Sequence, residues 1–518
     1  MRRSPPPCSF ASVKLRLAIL FALAAAPCVA QRGAPRVDSA LVRRILVAED
    51  MRDSASSAFG DGARSQDPRI RELARRALAR IRDPRFALRD SFPTLPAPPA
   101  YPDAAWRVRY RALANIGTNC AAILVALADS VWHLRLRAAD VADRSCANDA
   151  SVTGTLRAWA SALPASARRD ASQASWQPAA HALVALARIS PADAKPLMQR
   201  FYASPIPAVR VYAARAAGVL SDVERLRVLA HDRDDNVKEA AIDALAKLGH
   251  VGDSEFISAL QARGYQAVRA AARALKESPR GKEVLAASIA AAKRLRRDSS
   301  ETSRDARMAV LDRIAEFADS AHAMDIASLA TDFDCAIADS AAAIAKRLGG
   351  PSVAQCRPRA ITLPRDAVAL ALGREVTLRV TLADSSGGGS FVVRLRSDVA
   401  PITAARVLAL VRARWYDNRA WYRVEPDFVI QGGGPGSNEY AGHPCFSRDE
   451  LGSVPQVRGT VGMSTRGHDT GDAQWYVNLR DNLRLGRDYT LFGEVTEGID
   501  VVDGILEGDV IARIEIVR

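Results

Sequence analysis

Two hydrophobic periodicities divide the chain. Over residues 31–350 apolar positions recur at helical spacing and one short pattern keeps returning. It reads "DPRIRELARRALARI" (67–81), "AWRVRYRALANI" (105–116), "PAVRVYAARAAGVL" (207–220), "DNVKEAAIDALAKL" (235–248) and "QAVRAAARALKE" (266–277), with "WHLRLRAADVA" (132–142) as a weaker copy. Each copy sets Arg or Lys after an apolar residue, then Ala, Leu or Ile along one helical stripe. Val209, Val237 and Val268 lie 28 and 31 residues apart. That period predicts stacked helical hairpins rather than an unrelated bundle. Ala at the crossings lets helices approach closely, and Asp-Pro or Asp-Asp-Asn before a helix supplies turn and cap chemistry.

The second periodicity begins after "GGPSVAQCRPRAITLPRD" (349–366), where Gly and Pro rise and the Ala-rich helices stop. In "REVTLRVTLAD" (374–384) Val376, Leu378, Val380 and Leu382 alternate with polar residues, as in a half-buried strand. "SSGGG" (385–389) joins it to a second strand, "SFVVRLRSD" (390–398), as a hairpin loop. "APITAARVLALVRARWYD" (400–417) reads as a helix, with Asp398 placed to cap it and Pro401 in its first turn. Short strands with Gly turns fill the rest, so a closed antiparallel sheet is expected. The organisation expected is a leader over 1–30, a helical repeat domain over 31–350, a linker over 351–365 and a β-rich domain over 366–518.

Composition adds the compartment. Of 518 residues 48% are hydrophobic and 25% charged, a globular balance too long for one core. Arg2, Arg3, Lys14 and Arg16 precede an uncharged run from Leu17 to Ala30 that ends in "APCVAQ". This is the layout of a secretory signal peptide cut after Ala30. The run falls short of the ~18–20 residues that span a bilayer, and no later run qualifies. The mature chain is therefore expected to be exported, most simply to a periplasm, without a transmembrane segment. Lipid attachment at Cys28 is disfavoured by Pro27 beside it. Export permits disulfides, and Cys120 with Cys146 and Cys335 with Cys356 are the sensible local pairs. That leaves Cys445 free or paired between chains. There is no CxxC and the seven His are scattered, so no metal site is expected.

The net charge of +14 is uneven, because residues 366–518 carry 17 Arg, no Lys and 21 acidic residues. The excess of positive charge thus lies in the repeats. An exported chain rarely meets nucleic acid. A solvated Arg-rich helical face, an anionic envelope surface, or attraction to the chain's own acidic half accounts for the charge instead.

The stretch "WYRVEPDFVIQGGG" (421–434) raises the question of chemistry. It is no phosphate loop, since "GGGPGSNEY" lacks the Lys and Ser or Thr of a P-loop and the third Gly of a dinucleotide turn. Strand propensity explains Trp421, Tyr422, Val424, Phe428, Val429 and Ile430. It does not explain Arg423 and Gln431.

The helical copies resemble short HEAT repeats, which implies a protein-binding surface for clients or an envelope partner. The second domain resembles the bacterial cyclophilin-type peptidyl-prolyl isomerases. The matching motifs run in order: "APITAARVLALVRARWYDN" (400–418), "WYRVEPDFVIQGG" (421–433), "RGTVGMS" (458–464), "DTGDAQWYVNL" (469–479) and "DYTLFGEVTEGIDVVDGI" (488–505). The resemblance implies a closed antiparallel β-barrel with two helices, behind an all-α HEAT-like solenoid. It implies a peptidyl-prolyl cis-trans isomerase that needs no cofactor and acts on proline-containing polypeptide clients. Residue by residue, it makes Arg423 the catalytic Arg. Phe428 lines the proline pocket, and Gln431 and Gln474 hold substrate. Met463 lies in the strand beside the pocket, Tyr476 stands at its floor where Phe is usual, and Leu485 and Tyr489 close it. Ser464-Thr465 replaces an Ala-Asn pair along the groove, so Thr465 joins the candidate substrate-binding residues. Val429 replaces a common Met. A phenol at the floor needs a partner for its hydroxyl. Without one, a catalytically weak binding module on an interaction solenoid is the alternative reading.

Overall fold

The computed structural model describes residues 37–517 apart from 83–99, 118, 170–172, 298–299 and 357–361. The leader and Cys28 lie outside the described residues. None of the described helices is long and apolar enough to cross a membrane.

Helices from Trp106–Ala112 to Cys335–Arg347 form the array. Pro207–Val219, Asp235–Ala246, Tyr265–Ala274, Arg304–Phe317 and Cys335–Arg347 stack on one another in sequence order, while Val223–Leu229, Asp253–Ala259 and Gly281–Leu295 pack outside them. One apolar cluster runs continuously from Leu113 to Ala345, dominated by Ala, Leu, Ile and Val. The disulfides Cys120–Cys146 and Cys335–Cys356 form as the spacing suggests. Cys445 is not left free.

Three Arg of the helices have a different job from a solvated face. Arg107, Arg210 and Arg307 are buried. Arg210 forks onto both oxygens of Asp232 at 2.8 and 2.9 Å, and Arg307 donates to Asp332 at 2.7 Å. In the last two pairs a stacked helix holds the loop leading into the next one. Bidentate guanidinium pairing suits that strut, since its planar fork matches a carboxylate.

The barrel has eight strands: β1 Thr377–Leu382, β2 Ser390–Leu395, β3 Arg419–Val424, β4 Val429–Gly432, β5 Thr460–Met463, β6 Trp475–Asn478, β7 Leu491–Glu497 and β8 Val510–Ile516. The order β8-β1-β2-β7-β5-β6-β4-β3 closes on itself, with every pair antiparallel. Closure removes the unpaired edges an open sheet would expose. Pro401–Arg412 and Ile499–Asp503 are the two accompanying helices, and a short third, Ala367–Ala371, precedes β1. Asp398 does not cap Pro401–Arg412 but pairs with Arg396 at 2.8 Å. The capping carboxylate is Glu450, which accepts from the amides of Ile402 at 3.1 Å and Thr403 at 2.6 Å. A cap supplied from a distant loop leaves no local sequence signal.

The first three helices, Ser39–Asp50, Ser57–Ala63 and Pro68–Arg82, bury Leu41, Ile45, Leu46, Ile70 and Leu73 in the barrel's apolar cluster, not in that of the array. The array in turn grips the barrel through ion pairs. Arg107 and Arg458 both hold the Asp503 carboxylate, at 2.7 Å each. Arg169 pairs with Asp509 at 2.5 Å, both side chains buried. His133, buried and pushed down to about 4 by desolvation, donates as a neutral ring from Nε2 to the Asp503 carbonyl at 3.0 Å. The attraction between a basic first half and an acidic second half is thus carried by specific pairs.

Candidate active site

Strand pairing brings the candidate polar residues together. Arg423 on β3 lies opposite Gln431 on β4, across a register irregularity after Trp421. Trp421 fills the barrel interior, while Tyr422 and Arg423 turn outward beyond it. The Arg423 guanidinium donates from Nε to Glu425 at 2.7 Å and pairs through Nη2 with the same carboxylate at 2.5 Å. Its Nη1 donates to Gln431 Oε1 at 3.1 Å. Three of five donors are thereby engaged among the described residues, and two N–H groups remain. The side chain is 39% exposed, so those groups are reachable.

Behind Arg423 lies a buried amide–phenol chain. Gln431 Nε2 donates to the Tyr422 hydroxyl at 2.6 Å and to Ser464 Oγ at 2.8 Å. The Tyr422 hydroxyl donates to Gln474 Oε1, and Gln474 Nε2 donates to the Glu439 carbonyl at 3.0 Å. Gln431 and Gln474 are each engaged at both ends and only 2% exposed. They orient Arg423 and Tyr422 rather than presenting free amides. Burial raises the Tyr422 phenol well above its ordinary range, so it stays protonated and can donate.

The apolar half forms a small cluster of its own: Val429, Tyr476 and Leu485, with half-buried Phe428 and Tyr489 packed against it. The Tyr489 ring meets Tyr476 edge-on at 5.8 Å. Arg423 lies 5.7 Å from the Phe428 ring centroid, so the guanidinium stands directly beside the apolar group. Leu485 enters from a 3₁₀ turn, Leu483–Arg487.

The Tyr476 hydroxyl has its partner. It donates to Gln456 Oε1 at 3.1 Å, which also accepts from Asn478 Nδ2 at 2.9 Å. Gln456 Nε2 donates to the Tyr489 carbonyl at 3.1 Å. Gly462 makes room for the phenol, since a Cβ there would lie 2.3 Å from the hydroxyl. Gln456→Leu should therefore strand the hydroxyl and cost about 1–3 kcal/mol of stability, the penalty for an unpaired buried polar group. In that background Tyr476→Phe should recover part of the loss, the rest remaining because Asn478 Nδ2 also loses Gln456 as its acceptor. A urea-melt double-mutant cycle checks it, and strictly additive losses would contradict it.

Met463 does not join the pocket. It pairs in register with Trp475 and sits in the barrel interior, because side chains alternate along β5 and Gly462, not Met463, faces Tyr476. Thr465 is buried directly after Ser464 and lies outside the apolar cluster. Four contributors were not singled out as site residues in the sequence: Tyr422, Glu425, Gln456 and Ser464. Glu425 had a readable signal, an acid two residues after Arg423 in an extended stretch. Gln456 had none, because it comes from a loop.

A closed barrel with a half-exposed Arg beside an apolar pocket on its outer wall has counterparts in one class of known enzymes. Residues 378–517 match the family described as cyclophilin type peptidyl-prolyl cis-trans isomerase/CLD. Peptidyl-prolyl cis-trans isomerase cyp18 of Streptomyces antibioticus is 34% identical over 136 residues, covering 24% of this chain and 82% of that protein. Peptidyl-prolyl cis-trans isomerase B of Escherichia coli is 34% identical over 128 residues, covering 23% and 78%. A solved cyclophilin type isomerase of Cryptosporidium parvum aligns at 20% identity and a TM-score of 0.26, over 28% of this chain and 99% of that one. The chain belongs to the cyclophilin-type peptidyl-prolyl cis-trans isomerases, with its isomerase domain at the C-terminal end.

Proposed function

We propose that the protein is an exported peptidyl-prolyl isomerase whose HEAT-like array presents clients to the barrel, with Arg423 as the catalytic residue. The observation that carries this reading is the Arg423 guanidinium beside Phe428, with two N–H groups uncommitted.

Resonance holds the X-Pro amide planar behind a barrier of about 18–20 kcal/mol. Uncatalysed exchange takes about 10–100 s. In the twisted transition state conjugation is lost and the prolyl nitrogen regains a lone pair. A fixed guanidinium can donate to that nitrogen only then, so the interaction lowers the barrier rather than merely binding substrate. Glu425 and Gln431 fix the guanidinium from two sides, and preorganised donors avoid reorganisation during the step. Phe428, Val429, Tyr476 and Leu485 offer the ring an apolar seat. Every step is a rotation and a hydrogen bond.

Because Gln456 accepts from Tyr476, the phenol no longer argues for a catalytically idle module. The deciding assay is isomerisation of an X-Pro test peptide by the full chain beside its Arg423→Ala variant. Absence of turnover in the wild type would leave only the binding-module reading. Export is a separate part of the proposal and rests on the leader and on the two disulfides. N-terminal sequencing of the secreted chain should begin at Gln31. An intact Met1 on protein recovered from the cytosol would refute it.

A further inference from the structure

Between the array and the barrel lies a cleft of 1410 Å³. One wall is built from the stacked helices Pro207–Val219 and Asp235–Ala246, with Val211, Ala240 and Asp243 facing it. The other wall is the outer side of β3, including Tyr422 and Arg423, together with the loop 434–440. The same Arg423 therefore borders both the apolar pocket and the cleft. The walls are fixed relative to each other. The Tyr212 hydroxyl donates to Glu507 at 3.1 Å, Gln177 to the Glu507 carbonyl at 2.8 Å, and Asn236 to the Gly436 carbonyl at 3.1 Å.

A proline inside a polypeptide has chain on both sides, so at least one flank must cross whatever adjoins Arg423. The cleft adjoins it and exceeds the ~300–1,000 Å³ of a small-molecule pocket. Its lining mixes apolar side chains with charges of both signs, as suits a polypeptide rather than a lipid or a nucleic acid. We propose that this cleft holds the client segment flanking the proline seated at Arg423, making array and barrel one composite substrate site. The inference rests on the isomerase reading and extends it to a site that the barrel alone lacks.

The cleft's charges sharpen the kind of segment. Glu239 and Asp243 line the cleft together with Arg215 and Lys247. Burial and the neighbouring Asp243 push Glu239 up to about 7 in spite of the opposing charges of Arg269 and Arg215. A basic side chain entering here would relieve both carboxylates. Flanks carrying Lys or Arg are preferred over flanks carrying Glu.

The test compares a short X-Pro peptide with a longer peptide extended on both sides of the same centre, using the full chain. In the wild type the longer, Lys-bearing peptide should show a kcat/KM about tenfold higher, equivalent to about 1.4 kcal/mol. Ala240→Trp fills the cleft and should abolish that advantage while leaving the short peptide's turnover unchanged. Asp243→Lys, at an exposed position, should keep the fold and remove the preference for Lys over Glu flanks. Equal losses for both peptides in Ala240→Trp, no advantage of length in the wild type, or an unchanged charge preference in Asp243→Lys would overturn the proposal. Should the wild type turn over neither peptide, the isomerase reading fails on its own. Fluorescence anisotropy of the labelled long peptide then reads the cleft directly: binding lost in Ala240→Trp supports it, and no binding by the wild type refutes it.

Discussion

Arg423→Ala should lower kcat/KM for an X-Pro test peptide by about 10²–10³, the loss typical of removing one preorganised donor to transition-state charge. The loss should fall on kcat more than on KM, because the planar ground-state amide has no lone pair at nitrogen to accept the bond. Protein stability should change little, since the side chain is 39% exposed and its partner Glu425 is 49% exposed. Arg423→Lys should recover only part of the rate. Its charge remains, but an ammonium cannot reproduce two contacts to Glu425, one to Gln431 and a donor aimed at the pocket. Glu425→Gln should cost less than Arg423→Ala, because Gln431 still holds one side of the guanidinium. Chymotrypsin-coupled or NMR exchange assays read all three. Wild-type rates in Arg423→Ala would remove Arg423 from the mechanism.

What the sequence displayed and what it withheld follow a physical division. Alternation of Val376, Leu378, Val380 and Leu382 displayed β1, and all four are buried in the barrel. Ala-rich helical stripes displayed the array for the same reason, since a local period reports which face is apolar. A period does not report the partner. The apolar faces of Ser39–Asp50 and Pro68–Arg82 look like those of the array, yet they bury against the barrel. Site positions carried by ordered motifs, Arg423, Phe428, Gln431, Tyr476 and Tyr489, come together in space, joined by Leu485 from the stretch between two of those motifs. Met463 does not, although strand parity places Gly462 opposite Tyr476 and so Met463 inward. Contributions from loops, such as Gln456 to Tyr476 and Glu450 to a distant helix, depend on tertiary placement and leave no periodic trace.

The partner chosen by the first helices sets the second large effect: Arg80→Ala should destabilise the full chain by about 3–5 kcal/mol. Arg80 is 2% exposed at the junction of Pro68–Arg82, Ser39–Asp50 and the barrel. Its Nη1 donates to Glu49 at 2.8 Å, its Nε to the Leu451 carbonyl at 2.6 Å, and its Nη2 to the Val399 carbonyl. Truncation removes every one of these partners and leaves the Glu49 carboxylate, itself 1% exposed, as a buried charge without its cation. A native domain holds only about 5–15 kcal/mol in reserve, so the loss should move the melting transition by many degrees. Glu49→Ala combined with Arg80→Ala should be less damaging than the sum of the two, because the second change removes the charge that the first exposes. Thermal and urea melts of the full chain measure both effects. A loss under about 1 kcal/mol in Arg80→Ala would mean the contact is peripheral. A large loss would mean that the barrel is completed by residues more than three hundred positions earlier, and that a fragment beginning at Asp366 lacks part of its own core.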